Sequence, residues 1–172
     1  RRLVEENRTP QQLVDDLAHP INGIRTRGLI QTMMGCPQMV YNGSLLRATV
    51  RYFDAEAQRP GLPPDTAALV ESIRPGGAAV RLVNLDSHAS RTLILQAGAF
   101  GEHAFTDTTW REGEEMRRQP VDGKYLTVTL PPATSIQLDL AIDRFANTPS
   151  YAHPWHDGAV PVAVQHVAPT PN

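Results

Sequence analysis

At 172 residues and 18.9 kDa the chain has the length of one domain with a small appendage. Sixteen basic and eighteen acidic residues leave a formal charge of −2 and a pI near 6.3, which removes the electrostatic footprint of a nucleic-acid binder. With 41% hydrophobic residues and a mean hydropathy of −0.31 it is too apolar for disorder. No apolar run approaches the ~18 residues of a membrane span, so it reads as a soluble globular chain.

The single cysteine, Cys36, excludes an internal disulfide framework and any multi-cysteine zinc site. Lys124 is the only lysine, so fifteen of the sixteen cations are arginine, the codon signature of a GC-rich bacterial genome. The chain opens Arg1-Arg2-Leu3 without methionine or the apolar core of a signal peptide. The expectation is a processed start or a piece of something longer.

Residues 1–37 read as a helical segment. Thr9-Pro10-Gln11-Gln12 is a helix start, with Thr9 as N-cap and Gln12 closing a capping box. Leu13, Val14 and Leu17 continue the stripe to His19-Pro20. A second helix is expected from about Ile24 to Met34, stopped by Gly35. Two short amphipathic helices must cover something else.

From Gln38 the period changes from 3.6 to 2, and 38–157 read as a β-sandwich domain. Leu46, Ala48, Val50 and Tyr52 alternate with Arg47, Thr49 and Arg51 as a half-buried strand. Asp54 to Asp65 is a Pro/Gly-rich loop, Ala67 to Ile73 a strand, and Pro75-Gly76-Gly77 a turn. Val80 to Leu85 is a strand apolar on both faces. Thr92 to Gln96 and Phe105 to Arg111 follow, and Arg111 to Gln119 reads as a charged loop or short helix. Tyr125 to Leu130 and Ile136 to Ile142 are the clearest strands, and the short Pro131–Thr134 link predicts that they pair as a hairpin. Short strands separated by turns, without βαβ spacing, predict a mostly β, antiparallel β-sandwich preceded by a short N-terminal helical segment. Residues 158–172 form a Pro/Val-rich tail expected to lie extended over a neighbour or to be disordered.

Glu102, His103, His153, His156 and Asp157 could ligate a divalent ion if folding gathered them. However, His153 and His156 are three apart across Pro154, so no helix aligns them as in HExxH. The expectation is no metal and no cofactor, with these histidines packing on Trp155 or contacting a partner. Trp110, Tyr151 and Trp155 are candidates for stacking on a sugar ring or a partner surface. Asn42-Gly43-Ser44 reads as a turn. Glu71, Glu102, Asp107, Asp139 and Asp143 offer carboxylates, but nothing selects a glycosidase pair. GxSxG, P-loop, GxGxxG and CxxC motifs do not occur.

The segments Val80-Arg81-Leu82-Val83-Asn84-Leu85, Arg91 to Gly98, Tyr125 to Pro132 and Ser135 to Leu140 share a cadence. A strand ending in "VN" is followed by a turn and an "R-x-ΦxΦ" strand, and an "LPP" link leads into the last strand. In this the chain resembles the C-terminal β-sandwich of multidomain bacterial carbohydrate-active enzymes, glycoside hydrolases and polysaccharide lyases, over about residues 80–142. The resemblance implies that the catalytic carboxylates lie in an upstream domain, and that the helices belong to its end. The expected function is an accessory C-terminal domain or small subunit that covers a larger catalytic chain. Glu102, His103, Tyr151, His153, Trp155 and His156 would then touch an oligo- or polysaccharide or the partner. The rival is a structural β-sandwich that assembles as a homo-oligomer. Neither reading involves nucleic acid or a membrane.

Overall fold

The computed structural model describes Thr9, Gln11, Gln12, 27–36 and 48–156. Of the first expected helix, only its start lies among these residues. There the capping box is made: Gln12 N–H donates to Thr9 Oγ1 at 3.3 Å and Thr9 N–H to Gln12 Oε1 at 2.9 Å. Leu46, Asn42-Gly43-Ser44, Asp157 and the 158–172 tail lie outside the described residues.

The second expected helix is present as α1 (Arg27–Met34). Gly35 follows it at φ +58°, the left-handed stop that a side chain resists, and a Cβ there would come within 2.9 Å of Val70. Nine strands follow: β1 (Val50–Asp54), β2 (Arg59–Pro60), β3 (Thr66–Arg74), β4 (Gly77–Asn84), β5 (Arg91–Ala97), β6 (Ala104–Glu112), β7 (Glu115–Gly123), β8 (Tyr125–Leu130) and β9 (Ser135–Asp143). They form two antiparallel sheets, one ordered β2-β1-β5-β8 and the other β3-β4-β9-β6-β7. Among the described residues no helix is long and apolar enough to cross a membrane.

Between the sheets lies one core, built from alternate positions of both. Val50 and Tyr52 enter from β1, Leu93 and Leu95 from β5, and Leu126 and Leu130 from β8. Opposite them stand Val80 and Leu82 of β4, Phe105 of β6, and Leu138, Leu140 and Ile142 of β9. The β9 alternation is as the sequence predicts, with Gln137, Asp139 and Asp143 exposed. Met33 and Met34 of α1 also pack on this core. The Tyr52 hydroxyl holds α1 in place by donating to the Met33 carbonyl at 2.7 Å.

Two local expectations are corrected. Arg111 to Gln119 is neither loop nor helix: it forms the end of β6 and the first part of β7, a hairpin on the sheet edge. From Glu115 to Pro120 every β7 residue is exposed, so no burial alternation marks it in sequence. Ion pairs tie it down instead, Arg117 to Glu112 at 2.8 Å and Arg118 to Asp107 at 2.6 Å. Secondly, β8 and β9 do not pair. β8 joins β5 in the first sheet, and β9 lies between β4 and β6 in the second. Their apolar faces meet across the core, and the Pro131–Thr134 link crosses from sheet to sheet. A link this short serves a sandwich corner as well as a hairpin, so its length alone does not distinguish them.

At that corner the "VN" residue explains itself. Asn84 is buried, and its two Nδ2 protons are shared among the carbonyls of Ala89, Leu130 and Pro131 at 2.8 to 3.1 Å. Its Oδ1 accepts from Asp86 N–H at 3.0 Å. Asp86 in turn accepts from the His88 and Ala89 amides and from Arg91 at 2.5 Å. The two amide bonds, then the Arg91 and His88 charges, hold its carboxyl below the usual carboxylate range. The segment from Asn84 to Arg91 is thus one hydrogen-bonded clamp joining β4, β5 and the β8–β9 link.

Candidate functional site

After β9 the chain runs back as a strap, 144–156, whose last residues pack against the outer face of the first sheet. Arg51 and Phe53 point outward there from β1, two residues apart, with the Arg51 guanidinium 4.9 Å from the Phe53 ring centre. Phe53 is fully buried although it is not part of the inter-sheet core, because the strap covers it. His153 lies 5.6 Å from it at a tilt, and Trp155 meets it edge-on at 5.6 Å. His156 stacks on His153 at 5.2 Å and 21°. Burial, then the charges of Arg51 and His156, push the His153 pKa below its ordinary value. Burial also lowers the Arg51 pKa and raises that of Tyr125, whose hydroxyl donates to the Ala152 carbonyl at 3.4 Å.

The strap begins on a second cluster, the turn from Gly98 to His103. Both carboxylate oxygens of Glu102 accept backbone N–H groups, from Phe100 at 2.8 Å and Ala99 at 3.3 Å. Gly98 stands at φ +89°, and a Cβ there would collide with that carboxylate, so the turn requires glycine. His103 Nδ1 accepts the Phe145 N–H at 3.0 Å, which puts the proton of the neutral ring on Nε2, 3.8 Å from Glu102 Oε1. Further bonds run from Asn147 Nδ2 to the His103 carbonyl at 2.8 Å, and from Ser150 N–H to the Phe100 carbonyl at 2.9 Å. Gln96, buried in β5, donates to the Gly98 and Ala99 carbonyls.

Folding therefore brings the six sequence-selected residues onto one connected strip, in two groups. Glu102 and His103 are almost wholly covered and hold backbone. His153, Trp155 and His156 form an aromatic cap with Phe53. Tyr151, 67% exposed, touches Phe100 edge-on at 5.2 Å and is the one of the six that stands out from the surface. Phe145, 71% exposed, lies 4.9 Å from the His103 ring. Among the described residues no three His, Cys, Asp or Glu side chains converge as metal ligands.

No family model, curated protein or solved structure matches this chain.

Sequence reasoning missed Arg51, Phe53, Asn84 and Phe145. Phe53 left a signal: it is a large aromatic on the face of a strand whose other outward residue is charged. Trp110, singled out for stacking, lies away from the strip. It points from β6 into a groove of about 440 Å³ bounded by β6, β7, β8 and β9.

Proposed function

We propose that this chain is an accessory β-sandwich of a larger carbohydrate-active enzyme, covering its catalytic domain. The observation that carries the reading is the pair of exposed aromatics, Phe145 and Tyr151, on either side of the Gly98–His103 turn. Aromatic side chains at a protein interface give large contact area at small entropic cost. The turn beneath them is fixed by Glu102, His103, Gln96 and Asn147, so the patch is preorganised. The polar residues of this strip bond to their own backbone, which suits support better than proton transfer. The link to sugars comes from the resemblance over residues 80–142, whose four segments fall on β4, β5, β8 and β9.

The double substitution Phe145→Ser and Tyr151→Ser tests it. Neither ring lies in the core, so the melting temperature is expected to stay in place while association with the companion catalytic polypeptide weakens at least about tenfold, or 1.4 kcal/mol. Undiminished association would contradict the proposal.

One observation favours the rival, self-assembly. β8 is an edge strand whose sequence, Tyr-Leu-Thr-Val-Thr-Leu, carries no charge and no proline, the usual blocks to edge pairing.

A further inference from the structure

The groove beside β8 rests on different residues from the strip. The second sheet has one strand more than the first, and this extra edge strand, β7, is exposed on both faces over its first six residues. Next to it the sandwich stands open between β8 and the β6–β7 hairpin. The opening of about 440 Å³ falls in the range of small-molecule sites. Its wall is mixed, with an apolar patch of Leu126 and Val128 on one side and Leu138 on the other among threonines and Ser135.

Trp110 pairs in register with Leu138, so both point inward, and the indole is only part-buried at the groove wall. No other aromatic ring among the described residues stacks on it. Thr108, two residues earlier on the same face, is 2% exposed and its hydroxyl is closed to solvent, so the groove offers its polar contacts at the rim. Gln119 and Ser135 add neutral donors and acceptors at the rim. The two charged residues of the lining, Arg111 and Glu112, are of opposite sign, and Glu112 is paired with Arg117.

We propose that this groove is a subsite for a short neutral oligosaccharide, with one sugar ring on Trp110 and ring hydroxyls toward Gln119 and Ser135. A flat apolar face with uncharged hydrogen-bonding groups around it matches a sugar ring, which is apolar on its C–H face and polar at its rim. Balanced charge selects against a polyuronate. The proposal rests on the sugar-enzyme reading and adds the ligand class and its place.

The test is a fluorescence titration of the full 172-residue chain with cellotetraose, laminaritetraose, xylotetraose and tetragalacturonate. A saturable response to at least one neutral tetrasaccharide is expected. Trp155→Phe should leave it unchanged, since Trp155 is engaged with Phe53. Trp110→Ala should weaken binding at least about tenfold. Should that variant fold poorly, Gln119→Ala and Ser135→Ala, both at exposed positions, carry the test, each weakening binding about threefold by calorimetry. Silence across the panel, a response to the uronate alone, or binding that survives these substitutions would overturn the proposal. Shielding of Trp110 by the companion polypeptide without sugar would overturn it too, in favour of strand addition along β8. Any of these leaves the accessory reading intact if the Phe145–Tyr151 surface still holds the companion.

Discussion

Replacing Asn84 with alanine is expected to lower the unfolding free energy by about 3 kcal/mol. The side chain is buried, and removing it strands the Leu130, Pro131 and Ala89 carbonyls and the Asp86 amide together. A buried polar group left without a partner costs ~1–3 kcal/mol, and access of water to the part-buried Ala89 and Pro131 carbonyls keeps the total near the upper end of that range instead of several times it. Asn84→Asp is the sharper control. It keeps the acceptor for Asp86 N–H but loses both donors and sets a charge against the carbonyls, so it should be at least as damaging. Urea melts measure both variants. A loss under ~1 kcal/mol for alanine would show that the corner is held by the strands alone.

The second large effect is expected at Phe53. Phe→Ala at a fully buried site costs ~3–5 kcal/mol, and here the void opens beneath the strap instead of in the inter-sheet core. The damage should therefore be local before it is global. Amides of Asn147, Ser150 and His156, protected by bonds to Glu102, Phe100 and His153, should exchange faster, and Trp155 emission should move to the red, while β4 and β9 amides stay protected. Uniform loss of protection would contradict a separately held strap. Acid acts in the same direction. The His153 pKa lies below its ordinary 6.5, so the unfolded chain takes up a proton that the folded chain disfavours. The strap's stabilisation is complete above pH 6.5 and declines as pH falls below it. The Trp155 red shift should appear in wild type on that acid limb.

Much of this architecture is legible in the sequence because burial imposes a period. β9 announces itself through Ile136, Leu138, Leu140 and Ile142, and α1 through its stripe and the glycine that stops it. β7 does not: a strand exposed on both faces has no alternation to display, and charge density there mimics a loop. The partner of β8 is hidden for another reason, since pairing is decided by which apolar faces must meet across the core and not by link length. At the site, Glu102, His103 and the Tyr151–His156 segment stand out through residue type, yet residue type does not reveal that Glu102 and His103 are used up on backbone. Phe53 escaped because its partners His153 and Trp155 lie a hundred residues away, and Arg51 because it acts through Phe53 and the Ala99 carbonyl. Asn84 appeared as part of a cadence, and only the corner geometry gives the cadence a physical cause.

An accessory sandwich would work only as part of something larger. Detection of the chain in extracts of its source cells, by native separation followed by denaturing separation, decides this. The expected result is migration with a catalytic polypeptide, on the same chain or at fixed stoichiometry, well above 18.9 kDa. A free 18.9 kDa species, or an assembly containing this chain alone, would contradict it.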